Sequence, residues 1–139
     1  MSSTARGLSS YRNTQVQSRT PLELVVMLYD GALKFMGRAR EAIERRDIPA
    51  RREALSRTLA IISELQSTLN LAEGGQVAIE LDRLYSYSNA RLLEAAMKNE
   101  VAAVDDVKRV FEILRDGWNT IATQPPPTAS ALQPSGARA

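Results

Sequence analysis

From residue 20 to residue 124 the apolar side chains recur in steps of three and four, in four stretches divided by helix-ending residues. Leu22, Tyr29, Met36 and Ile43 repeat at sevens beside Val25, Ala32 and Ala39, which predicts a first helix. Thr20 supplies its N-cap, Pro21 its first position and Glu23 the return bond of a capping box. The pattern ends near Arg46, and Asp47-Ile48-Pro49 opens a second helix with Asp47 as cap. That helix carries Leu55, Thr58, Leu59, Ile62, Leu65 and Leu69 and is expected to stop at Gly74-Gly75. A third runs from about Gln76 to Lys98 with Val77, Leu81, Leu84, Tyr85, Ser88, Leu92 and Ala95 inward. Asn99 marks its end and is expected to cap the fourth. There Val104, Val107, Phe111, Leu114, Trp118 and Ile121 keep the cleanest register, up to Pro125-Pro126-Pro127.

Short connections between helices of this length force antiparallel neighbours. The expected fold is therefore all-α: an antiparallel up-down four-helix bundle over residues 20–124. Residues 1–19, rich in Ser, Thr, Arg and Gln, read as a flexible N-terminal arm, and residues 125–139 as a disordered Pro-rich tail.

A bundle helix needs an apolar stripe of roughly 100°, and three of these helices carry more. On the first helix Val26 and Leu33 flank the seam on one side, Leu24 and Phe35 on the other, and Met27 points nearly away from it. On the third, Ile79, Leu93 and Met97 form a second stripe, with Tyr87 at a boundary. Ile113 turns outward on the fourth. Single outward apolar residues are ordinary, but an excess on several helices of one small bundle suggests a partner laid along the outside. Tyr11, the only aromatic in the arm, is either free or docked in an apolar groove. Gly31 and Gly37 read either as sites of tight helix packing inside the bundle or as places where another backbone approaches closely.

Composition removes most alternatives. The chain has 139 residues, 44% of them apolar, and neither His nor Cys. That excludes a Ser-His-Asp triad, a cysteine nucleophile and a zinc finger, and no glycine-rich phosphate loop appears. Asp105 and Asp106 are adjacent on a helix and point about 100° apart, so they form no acid–base pair. The expectation is no enzyme, no metal and no cofactor. No run of some 18 apolar residues and no leader pattern is present, which predicts a cytoplasmic protein without membrane insertion. Residues 1–57 hold 11 basic and six acidic side chains, net +5, against seven and ten, net −3, in residues 58–139. The basic run from Arg38 to Arg57 is interrupted by Glu41, Glu44, Asp47 and Glu53, which reads as a solvated surface and not a nucleic-acid site.

Residues across these stretches resemble a known family. Tyr11, Val16, Thr20-Pro21-Leu22-Glu23-Leu24 and Met27-Leu28-Tyr29-Asp30-Gly31-Ala32 look like the opening of the bacterial flagellin secretion chaperones (FliS). Thr68-Leu69-Asn70, Glu73-Gly74-Gly75, Leu84-Tyr85, Arg91-Leu92 and Leu114-Arg115 with Trp118 agree in order and spacing. Ser86, Ser88 and Gly117 depart from the family pattern, which has acidic, apolar and alanine residues there. The resemblance implies a bundle of the bacterial cytosol that binds the C-terminal segment of flagellin, prevents premature polymerisation and delivers it to an export-gate component. It also implies that the client wraps the bundle in extended and helical pieces, and that the arm with Tyr11 covers part of the groove in the free form. The partner-binding residues expected are thus Tyr11, Val26, Met27, Leu33, Ile79, Tyr87, Leu93, Met97 and Ile113. The competing expectation is a helical adaptor that forms a homodimer through the same apolar surface.

Overall fold

The computed structural model describes residues 20–124, so the arm, Tyr11 and the tail lie outside the described residues. Four helices fill them: α1 (Pro21–Arg45), α2 (Ile48–Ser67), α3 (Leu71–Lys98) and α4 (Val101–Thr123). Each packs against its neighbours in a closed ring, α1 against α2 and α4, and α3 against the same two. Arg40 of α1 meets Asp105 early in α4, whereas Asp30 meets Arg115 late in it, so the pair runs antiparallel. The bundle is the antiparallel one that the patterning predicts.

The caps explain where α1 and α2 begin. Thr20 accepts from the Glu23 amide while Glu23 accepts from the Thr20 amide, completing the capping box. Asp47 accepts from the Ala50 amide at 3.1 Å. Arg46 closes α1 in the left-handed conformation at φ 60°.

Two boundaries differ from expectation. Helix α2 stops at Ser67, well short of the glycine pair. The Ser67 and Thr68 hydroxyls donate to the Glu64 and Leu65 carbonyls, taking acceptors that further turns would use. Gly74-Gly75 instead sits within the first turns of α3, which kinks at Gly75 with φ 59° and ψ −140°. A side chain at Gly74 would collide with the Ala78 methyl at 2.6 Å. Asn99 does not cap α4 either. It takes φ 55° and accepts from Arg51 of α2 at 2.6 Å, and the N-cap position falls to Glu100.

The core is graded along its length. Toward the α1–α2 turn it is richer in small residues, with Ala39, Ala42, Ala54, Ala95 and Ala103 buried beside Ile43, Leu55 and Val104. At mid-height Tyr29 and Phe111 stack at 5.0 Å between ring centroids, and Tyr85 lies 6.2 Å from Phe111. The Tyr29 and Tyr85 hydroxyls share a hydrogen bond of 2.6 Å inside the bundle. Ser88 points inward, as expected, and its hydroxyl is satisfied by the Leu84 carbonyl. Two residues predicted inward are not: Val77 is 67% exposed and Ile121 is half exposed. Both lie at the far end, just past the Gly75 kink and in the last turn of α4, where the ring of helices no longer encloses them.

The glycines divide by environment. A methyl group on Gly31 would meet Ile61 of α2 at 3.2 Å, so this position does serve tight packing. Gly37 does not, and neither does Gly117: nothing lies within 4 Å of a methyl there. Gly37→Ala and Gly117→Ala are each expected to stabilise the bundle by about 0.5–1 kcal/mol, with no gain from Gly31→Ala. Urea unfolding midpoints of the three variants check this. A loss at Gly117 would mean that the glycine meets something outside the bundle.

A candidate partner surface on the third and fourth helices

Polar contacts between helices define which side of α3 faces which neighbour. On one side Gln66 of α2 donates to Asp82 at 2.8 Å and to Ser86 at 3.1 Å. On the other, Arg91 donates to Asp106 of α4 at 2.6 Å and 3.0 Å and also binds Glu94. These partly exposed pairs contribute little to stability and mainly hold register. Hydrogen bonding from Arg91 keeps the Asp106 carboxyl below the usual carboxylate range, and Asp106 in turn raises Arg91. Asp105 turns to Arg40 of α1 instead, so the two neighbouring aspartates serve different helices.

Against those markers the expected contact residues separate into two strips. At about 100° per residue, Ile79, Leu93 and Met97 fall within about 20° of Ser86, on the α2 side of α3. All three are exposed, Met97 by 77%. Tyr87 lies within about 40° of Arg91, and Ile113 within about 20° of Asp106, so they border the α3–α4 seam. Tyr87 is half exposed and Ile113 is 68% exposed. Val77 and Ile121, not anticipated as surface residues, fall about 80° from Tyr87 and Ile113 on their helices, belong to neither strip and are exposed at the open end. Sequence periodicity placed them inward because it carries no information on where the neighbouring helices end.

The first helix contributes less than expected. Val26 is 7% exposed and not outward. It lies on the side of α1 that carries Asp30 and Arg40, which bind α4, so the fourth helix covers it. A helix wedged between two neighbours buries a wider face than a single stripe. Leu33 is half-buried against the core for the same reason, and Met27 is half-buried. Tyr11 lies outside the described residues.

At the open end a hollow of about 380 Å³ is lined by Pro21, Leu22, Leu24, Val25, Leu28, Leu65, Leu69, Tyr85 and Trp118, with Glu64, Thr68 and Asn70 as its polar part. It starts at the residue where the arm joins α1. Beneath it, burial raises the Tyr29 and Tyr85 phenols above the ordinary tyrosine range, and hydrogen bonds from Tyr85 and Trp118 partly offset the rise at Tyr29. Among the described residues no group of acidic side chains could hold a metal ion, and no helix is long and apolar enough to cross a membrane.

The chain resembles known proteins over most of its length. The family model described as flagellar protein FliS matches residues 4–125. The flagellar secretion chaperone FliS of Salmonella typhimurium is 35% identical over 124 residues, which cover 86% of this chain and 92% of that one. The flagellar secretion chaperone FliSB of Pseudomonas aeruginosa is 35% identical across 78% of this chain and 86% of its own. The Bacillus subtilis flagellar secretion chaperone FliS is 34% identical across 79% of this chain and 81% of its own. A crystal structure of a bacterial flagellar chaperone superposes with a TM-score of 0.69 at 18% identity, covering 84% of this chain and 95% of that chain, which speaks for the fold. On the family match and the extent of these identities, the chain belongs to the FliS family of flagellar proteins.

Proposed function

We propose that this protein is a non-enzymatic export chaperone of the bacterial cytosol that holds the C-terminal segment of flagellin and passes it to the flagellar export gate. The observation that carries the reading is the pair of uncovered apolar strips on α3 and α4, in a chain whose relatives are named flagellar secretion chaperones. A segment that polymerises through apolar faces must keep those faces covered until export, and two strips either side of one helix offer cover to a chain that crosses it. Met97, unbranched and polarisable, suits a surface that adapts to such a segment.

In this reading Tyr11 and its arm occupy the apolar hollow at the open end until the client arrives. Tyr11 stands nine positions before Thr20, a reach of up to about 30 Å. Covering one ring stabilises by about 1.5–3 kcal/mol, and ordering the arm opposes it, so the arm is readily displaced.

Calorimetric titration with the C-terminal segment of the flagellin from the same bacterium tests the reading, together with light scattering of full-length flagellin. A one-to-one complex and suppressed polymerisation are expected. Absence of binding by both the full chain and one lacking residues 1–15 would refute it. A stable dimer that leaves no strip free would favour the adaptor instead.

A further inference from the structure

Across the bundle from the α3–α4 seam, α1 and α2 form an open groove of about 660 Å³ lined by Lys34, Phe35, Arg38, Glu41, Arg45, Ala50, Glu53, Ala54 and Arg57. Three cations converge on one aromatic ring at its floor. Lys34 Nζ lies 5.7 Å from the Phe35 centroid, Arg38 Cζ 5.3 Å and Arg57 Cζ, reaching over from α2, 5.6 Å. Arg57 is also held by Glu53 at 2.7 Å. Lys34 and Arg38 have no ion-pair partner among the described residues, whereas Arg40, Arg91 and Arg115 each bind a carboxylate. Two uncommitted like charges one helical turn apart repel each other, and the ring between them supplies only a partial counterweight.

We propose that this groove is a docking site for an acidic segment of a second protein, with carboxylates on Lys34 and Arg38 and an apolar side chain on the face of Phe35. Charge complementarity selects the occupant. The chain's own arm and tail do not fit, because residues 1–19 hold Arg6, Arg12 and Arg19, residues 125–139 hold Arg138, and neither stretch has an Asp or Glu. A second copy is a poor match, since Asp30, Asp82, Asp105 and Asp106 are already held by partners of their own, and the exposed Glu100 and Glu112 stand several turns apart on α4 and offer no acidic segment. A nucleic acid carries a charge at every unit and would bring phosphates against Glu41 and Glu53, with a single ring for stacking. A peptide can space its carboxylates to avoid both. The site is separate from the apolar strips, so both can be occupied at once.

The test is a titration of the isotopically labelled full chain, followed by amide NMR, with a synthetic twelve-residue peptide of Glu residues with Leu at every fourth position. Its Gln-for-Glu counterpart and a twelve-nucleotide single-stranded RNA are run alongside. Shift changes should cluster on residues 34–57, weaken with added salt and be absent with the Gln peptide. Lys34→Glu combined with Arg38→Glu should lower the affinity for the acidic peptide at least tenfold while leaving binding of the flagellin segment unchanged. Phe35→Leu, which keeps an apolar side chain but removes the ring, should weaken the acidic peptide a few-fold. Tighter binding of the RNA, equal binding of the Gln peptide, shifts centred elsewhere or no response to the charge reversal would each overturn the proposal. Loss of flagellin binding in the charge-reversed chain would overturn the independence of the two surfaces.

Discussion

Phe111→Ala should cost the bundle about 3–5 kcal/mol, the range for removing a fully buried aromatic side chain. The ring has no exposed surface and lies 5.0 Å from Tyr29 and 6.2 Å from Tyr85. Its loss removes apolar contact and opens a void beside the hydroxyl pair of Tyr29 and Tyr85, where three helices meet. Leu114→Ala, one turn further along α4 and only partly covered, should cost less than about 2 kcal/mol despite its place in the same register. Urea unfolding of both variants makes the comparison, and a domain of ordinary stability remains folded through either change. Equal costs would mean that the open end is closed by residues outside 20–124.

That difference between neighbouring register positions marks the limit of what the sequence discloses. Helix number, most caps and the inward faces are local properties. Thr20 with Glu23, Asp47 before Pro49, and the three-and-four spacing through Phe111 each act within one or two turns. Where periodicity fails, a neighbour decides. Val26 is covered because α4 lies over that side of α1, and Val77 and Ile121 are exposed because the ring of helices has ended. Helix α2 ends before the more conspicuous glycines because two hydroxyls, of Ser67 and Thr68, complete it first. The candidate site shows the same division. Periodicity finds Ile79, Leu93, Met97 and Ile113 as surplus apolar residues, but only Gln66 and Arg91, reaching across helix boundaries, reveal that they form two strips. The cluster on Phe35 is less legible still, because Arg57 comes to it from another helix.

The two strips lead to the largest functional effect expected. Ile79, Leu93 and Met97 changed together to Ser should weaken binding of the flagellin segment by roughly 2–4 kcal/mol, about 30- to 1,000-fold in Kd. Unfolding stability should change by under about 1 kcal/mol, since all three side chains are exposed in the free bundle. Tyr87 and Ile113 changed together to Ser test the second strip on the same terms, with Tyr87 the larger contributor because it offers a ring and a hydroxyl. A segment that crosses α3 touches both strips, so each variant alone should weaken it, and their combination should abolish binding measurable by calorimetry. A segment laid along one seam would respond to one variant and ignore the other. That outcome would keep the chaperone reading and discard the crossing path. If neither variant weakens the complex while both stay folded, the client lies elsewhere, and the hollow beside Leu24 and Trp118 becomes the surface to test.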